Sequence, residues 1–205
     1  MRLVHRRLNQ AMRISLIFGA PCSVVLYVLG EPISQILYRI PEVGDILRVM
    51  APFALFYYLQ GPLAAALQGL DMAGRSMFNS IAGAIMKILT ILLLASQPFW
   101  GIKGVAMGVN VSIVVVTLLH LHTLGRKIGY HLDIKNLTKV VGAALVMGMV
   151  CEALSRMLEG QYPLLIATLL AITGGLMAYL LFLLATNGLK KSDFKRALSG
   201  GKKRK

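Results

Sequence analysis

Few side chains in this sequence are equipped for chemistry, and the most exposed to question is a lysine. Lys87 stands near the middle of Ser76–Ser96, a stretch dominated by Ile, Leu, Ala and Met. A lysine in hydrocarbon costs roughly 3 kcal/mol on insertion scales, so it must face protein or a water-filled cavity, unless its ammonium snorkels to the headgroups. Its place halfway along the stretch favours the cavity. Asn79 on the same stretch, Gln60 and Asn110 on others add amides that could hold the polar part of a substrate. Asn110 equally suits a hydrogen bond between helices, which is ordinary membrane packing. Lys87, Asn79, Gln60 and Asn110 are thus the candidate substrate or cavity residues.

The other reactive side chains do not compose a catalytic or metal site. His120 and His122 are two apart, so on a helix they point to different faces and make no metal pair; they read as interfacial residues. Cys22 and Cys151 lie inside apolar stretches without metal or redox spacing and read as packing residues. Glu152 and Arg156, four apart, could pair on one helix face. No phosphate-binding loop, aspartate-rich diphosphate motif, His-Glu-x-x-His pair or Ser-His-Asp set occurs. The eight acidic residues sit mostly at stretch ends and form no cluster for a metal. The expectation is a protein that is not an enzyme and uses no cofactor and no metal.

The elements that position these residues are set by hydrophobicity. Of the 205 residues 57% are hydrophobic and only 15% are charged, with a mean hydropathy of +0.70. A soluble domain of this length does not carry that much apolar surface. A helix needs about 20 apolar residues to cross a hydrocarbon core about 30 Å thick. Gly104–Leu124 meets that requirement without a charged side chain and ends in a basic turn, Gly125-Arg126-Lys127-Ile128-Gly129-Tyr130. The same alternation of apolar span and polar loop gives spans over Ile14–Tyr38, Val49–Leu70, Ser76–Ser96, Thr138–Leu158 and Pro163–Asn187. The fold class is therefore an all-α polytopic membrane protein with six transmembrane helices. The basic start followed by an apolar run resembles a signal peptide, but the run is too long and lacks a small-residue cleavage site, so a retained first span is expected.

Within this frame the expected organisation is a basic N-terminus over 1–13, four core helices over 14–125, a basic loop over 126–137, two further helices over 138–187 and a basic tail over 188–205. Pro21 and Pro32 are placed to bend the first span. Gly61-Pro62 at the centre of the second is a hinge candidate, with a static kink as the competing reading. Small residues four apart suit close helix packing, as at Gly104 and Gly108, Ala144 and Gly148, and Gly174 and Ala178.

The net charge of +14 could suggest nucleic acid. The basic residues argue otherwise, because they sit in loops and tails between spans. Six spans put both termini on one side, and that side carries seventeen of the 22 Lys and Arg. The far side has Arg39, Arg48, Lys103 and Arg156. The asymmetry assigns the basic side, with both termini, to the cytoplasm. The tail would also attract anionic membrane lipids, at roughly 1 kcal/mol per basic residue near the surface.

Five stretches in order carry a family resemblance: Ala11–Leu16 with GAPCSVVLYVLGEPISQILY (Gly19–Tyr38), PEVGDILRVMAP (Pro41–Pro52), ALQGLDMAGRSMFNSIAGAIMKI (Ala66–Ile88), GIKGVAMGVNVSIVVVTLLHLHTLGRKIGY (Gly101–Tyr130) and ATNGLKKSDFKRAL (Ala185–Leu198). Together they resemble the C-terminal part of the stage V sporulation protein B family. These are polysaccharide-type flippases of the multidrug/oligosaccharidyl-lipid/polysaccharide exporter superfamily, MATE-like and related to the lipid II flippase MurJ. The resemblance implies two six-helix bundles around a central cavity that moves a lipid-linked saccharide, of the undecaprenyl-diphosphate type, across the bacterial plasma membrane. This chain would supply a partial MATE-like C-lobe plus two extra C-terminal helices, and would depend on N-terminal helices it lacks. Lys87 falls in the family's Gly-Ala-x-x-Lys-Ile pattern, but Thr90 stands where the family usually has Asn, which puts a substrate contact at that turn in question. A fragment of a cation-coupled multidrug exporter of the same fold and a non-transporting membrane scaffold are the alternatives.

Overall fold

A computed structural model describes residues 2–130 and 134–186. Its elements are α1 (Arg2–Val28), α2 (Gly30–Tyr38), α3 (Val43–Gly69), α4 (Ala73–Ala95), α5 (Gly101–Ile128), α6 (Ile134–Leu158) and α7 (Leu164–Ala185). All but α2 are long and apolar enough to cross a membrane, which gives six spans. Helices suit this sequence because hydrocarbon offers backbone N–H and C=O groups no partner, and a helix satisfies them within one segment. Asn187 and the tail over 188–205 lie outside the described residues.

Four boundaries differ from the sequence expectation. Residues 2–13, expected to be a basic segment ahead of the first span, are the opening turns of α1. Leu8 and Met12 are buried there, each 3% exposed, so an apolar stripe runs down to the terminus between the arginines. The first span itself is two helices parted at Leu29. Pro32 explains the break: its ring presses on the carbonyl four residues back, at Val28, and it has no N–H to return. Just past the break, Gly30 and Gly44 cross closely enough that a Cβ on Gly30 would lie 3.2 Å from the Gly44 carbonyl oxygen. The expected loops around Arg39–Arg48 and over 126–137 are shorter than they looked, since α3 starts at Val43, α5 runs to Ile128 and α6 begins at Ile134. Gly129 then ends α5 in a left-handed conformation, φ 63°, donating its N–H to the Gly125 carbonyl. Pro21, Pro52 and Pro62 lie inside helices that continue through them.

The main contacts place the spans in the order α4, α5, α3, α1, α6, α7, with lighter contacts of α2 to α3 and α7. One apolar cluster joins α1, α3, α5, α6 and α7 around Leu16, Leu63, Leu124, Met147 and Tyr179. α4 contributes nothing to that cluster. Its buried residues are Ser76 and Gly83, and it leans on α5 through small residues. An added Cβ on Gly83 would overlap Val116; on Gly104 it would lie 2.7 Å from the Leu94 carbonyl carbon; on Gly108 it would overlap Ile91 and lie 3.2 Å from the Lys87 carbonyl oxygen. Elsewhere Ala144 is buried and Gly148 makes ordinary contact with Val24 and Val28. On α7, Gly174 meets Leu154, its neighbour Gly175 meets Cys151 and Met147, and Ala178 is half-buried.

Overpacking a close helix contact costs about 1–3 kcal/mol. Gly108→Leu should lower the unfolding free energy in mixed micelles by about that amount. Gly74→Leu, with no neighbouring atom within 4 Å of the new Cβ, should change it by less than about 0.5 kcal/mol.

Candidate polar seam and outer cavity

The polar side chains picked out by the sequence converge on α5. α3 and α5 run parallel, and their hydrogen bonds repeat in register. Asn110 Nδ2 donates to the Val49 carbonyl at 3.0 Å, and seven residues on Thr117 Oγ1 reaches the Phe56 carbonyl at 3.1 Å. The Thr117 hydroxyl also lies 2.7 Å from the Ile113 carbonyl, so its single proton is shared between two acceptors. Gln60 closes the seam, its Nε2 donating to the Ile113 carbonyl at 2.8 Å and to Thr117 Oγ1 at 3.2 Å. Asn110 is fully buried, and its Oδ1 has no hydrogen-bond donor among the described residues.

The opposite face of α5 grips α4, which runs antiparallel to it. His120 Nδ1 lies 2.8 Å from the Val116 carbonyl, an atom that only accepts, so Nδ1 carries the proton. Nε2 lies within hydrogen-bond distance of the Ser76 hydroxyl, at 3.2 Å. One turn on, Asn79 Nδ2 donates to Thr123 Oγ1 at 3.2 Å.

The structure therefore brings Gln60 and Asn110 together with Thr117 between α3 and α5, and sets Asn79 on the far side of α5. Their amide nitrogens donate in helix-to-helix bonds. Lys87 stands apart. It lies on the α4 stripe that includes Ser76, Ser80 and Gly83, half-buried, with no hydrogen bond or ion pair among the described residues. Gly61 has open space around its Cα, and Pro62 follows it inside unbroken α3.

A second feature was not visible in the sequence. At the end of the bundle opposite the basic segments, a cavity of about 1040 Å³ opens between the α1–α2–α3 corner and the α6–α7 turn. Arg48 reaches Glu31 at 3.8 Å and donates from Nε to the Tyr27 carbonyl at 3.4 Å. Across the cavity Arg156 pairs with Glu152 at 2.6 Å, as their spacing suggested. Just outside it, Lys103 on α5 binds Asp45 on α3 at 2.9 Å. Its lining is drawn from five separate stretches, none of which announces a site alone. The one advance hint was that Arg48 and Arg156 belong to the charge-poor side.

Comparison with known proteins bears on this architecture. The chain is 32% identical over 196 residues to stage V sporulation protein B of Bacillus subtilis, which covers 96% of this chain and 38% of that protein. It is 25% identical over 122 residues to sporulation protein YkvU of the same organism, covering 60% of this chain and 27% of that one. A membrane protein of the same organism described as uncharacterized, YabM, is 27% identical over 164 residues, covering 80% of this chain and 30% of that one. The chain thus spans well under half the length of the curated relatives it matches. No protein-family model and no solved structure matches. The resemblance to stage V sporulation protein B read in the sequence holds along nearly the whole chain.

Interhelical hydrogen bonds in membranes contribute on average about 0.6 kcal/mol and at most about 1.7. Asn110→Ala should therefore destabilise the protein in micelles by about 1 kcal/mol. In a double-mutant cycle, Asn110→Ala and Thr117→Val should couple weakly, since each grips a different carbonyl of α3.

Proposed function

We propose, from the kinship with stage V sporulation protein B, that this chain forms part of a flippase that carries a lipid-linked saccharide across the bacterial plasma membrane by alternating access. The observation that carries this reading is that kinship, which extends over all six spans. The arrangement of helices supports it. Alternating access rocks one helix bundle against another around a shared site. Here the spans follow one another from α4 to α7, and α4 at one edge leans on α5 and lightly on α3, leaving Phe78, Ile85, Leu89 and Leu92 exposed. On this reading α4 borders the transport pathway. Helices equivalent to the unmatched part of stage V sporulation protein B close the pathway from the other side.

Lys87 then has a role. On this reading its ammonium, half-buried on the stripe that leans on α5 and free of protein partners among the described residues, reaches from that seam into the pathway and offers a cation to the diphosphate of the cargo lipid. The basic ends of α1, α5 and α6 lie at the cytoplasmic surface, where the cargo is loaded. A drug exporter of the same fold would call for a carboxylate inside the membrane. Glu31 and Glu152 both lie beside the outer cavity instead.

In proteoliposomes, this chain alone should not move a fluorescent undecaprenyl-diphosphate sugar. Adding the unmatched segment of the Bacillus subtilis relative should restore movement. Movement by the chain alone would overturn its dependence on other helices, and none with the complement would overturn the flippase reading. In a Cys22→Ser background, Lys87→Cys should react with a water-soluble maleimide when that complement is present. Complete protection in every condition would place Lys87 away from the pathway.

A further inference from the structure

We infer that the outer cavity is a saccharide-binding site, distinct from any site on the α4 edge. This rests on the flippase reading for the source of the sugar, and on the lining alone for its class. The cavity joins two structural units: Tyr27, Glu31 and Arg48 come from the α1–α2–α3 corner, while Arg156, Glu159 and Tyr162 come from the end of α6 and the turn into α7.

The lining excludes other classes in turn. Five charged side chains make it unsuited to a lipid tail. It does not suit a diphosphate either. Its two guanidinium groups already face Glu31 and Glu152, and Glu159 leaves one carboxylate in excess. Glu159 has no hydrogen bond or ion pair from its side chain among the described residues. A bare metal ion lacks ligands, since among the described residues no three of His, Cys, Asp and Glu gather to hold one. What fits is a molecule that offers donors and acceptors together without carrying much charge. Hydroxyl and amide groups of a sugar do this: they donate to the three carboxylates and accept from the two guanidinium groups. Tyr27 and Tyr162, each about half exposed, present rings whose negative faces attract the weakly positive C–H groups of a sugar ring.

The volume also agrees. About 1040 Å³ stands at the upper end of sites that hold molecules of drug size, about 300–1000 Å³, so a disaccharide or longer unit is accommodated. The charged groups are about half or more exposed, from 45% at Arg48 to 76% at Arg156. Their hydrogen bonds compete with water, which makes the site weak and fast to release its ligand. Such a site suits the face on which a sugar headgroup is let go.

The test uses the whole chain in lipid nanodiscs, with N,N′-diacetylchitobiose as the probe and saturation-transfer NMR as the readout. Saturable binding is expected, weakened about tenfold by Glu159→Ala and by Tyr162→Ala, the effect of losing one charge-assisted hydrogen bond or one stacked face. As a readout independent of those variants, Ser155→Cys in a Cys22→Ser background should react with a water-soluble maleimide, and chitobiose should slow it. No saturable binding, or equal binding by both variants, overturns the site. Competition by inorganic diphosphate in place of chitobiose overturns the ligand class. Chitobiose binding by the chain, with no lipid-linked sugar transport even when the complementing segment is added, leaves the site standing and sinks the flippase reading; transport by that pair without chitobiose binding does the reverse.

Discussion

A hydrocarbon environment gives a polar side chain no solvent partner, and the arrangement of this protein follows from where those side chains are satisfied. α5 bears most of the burden. Asn110 and Thr117 hold backbone carbonyls of α3, while His120 and Thr123 hold side chains of α4. Because two of the α3 contacts repeat at seven residues, a slip of α3 along α5 by one residue would leave both donors facing the wrong atoms. Polar bonds thus fix register at a seam where apolar packing alone would tolerate sliding. α5 becomes the strut to which both neighbours are referenced.

The two seams of α5 achieve closeness by different means. Toward α4 the helix presents Gly104 and Gly108, and α4 returns Gly83, so backbones approach and van der Waals contact replaces the missing hydrophobic drive. This explains how α4 stays attached without contributing to the apolar cluster that unites the other spans. Most of α4's surface is left for other neighbours, and the stretch with the lysine is the one that the bundle itself covers least.

Much of this was legible in the sequence, for identifiable reasons. Spans were readable because length and apolarity together decide membrane crossing, and neither depends on tertiary contacts. Asn79, Gln60 and Asn110 stood out because an amide in an apolar stretch must find a partner. Which partner it finds is a tertiary fact: the structure uses all three between helices. Thr117 was overlooked because a threonine in a helix so often bonds only to its own preceding turn, and here it does that as well as crossing to α3. The start of α1 was misjudged because Arg6, Arg7 and Arg13 mask the stripe formed by Leu8 and Met12. Of the outer cavity the sequence showed only that Arg48 and Arg156 share the charge-poor side. Its walls meet only because Pro32 turns α2 aside and Gly160, at φ 77°, lets the chain double back into α7.

That doubling back also separates two mechanical units. α6 and α7 meet α1 through apolar packing, with Gly148 in ordinary contact with Val24 and Val28, and through a directed bond from the Tyr179 hydroxyl to the Ile17 carbonyl at 2.9 Å. In this seam the Tyr179 bond is not part of a seven-residue repeat of carbonyl clamps such as Asn110 and Thr117 make on α3. At its basic end α6 and α7 are joined to each other by Lys139, which donates to the Thr186 carbonyl at 2.9 Å. At the opposite end the seam widens into the polar cavity. A contact built mainly from non-directional forces accepts small rotations at low cost. A cavity at the open end of such a seam changes its volume when the two units rotate. On the inference that the cavity holds a saccharide, its affinity for that ligand depends on how the pair α6–α7 sits against the core.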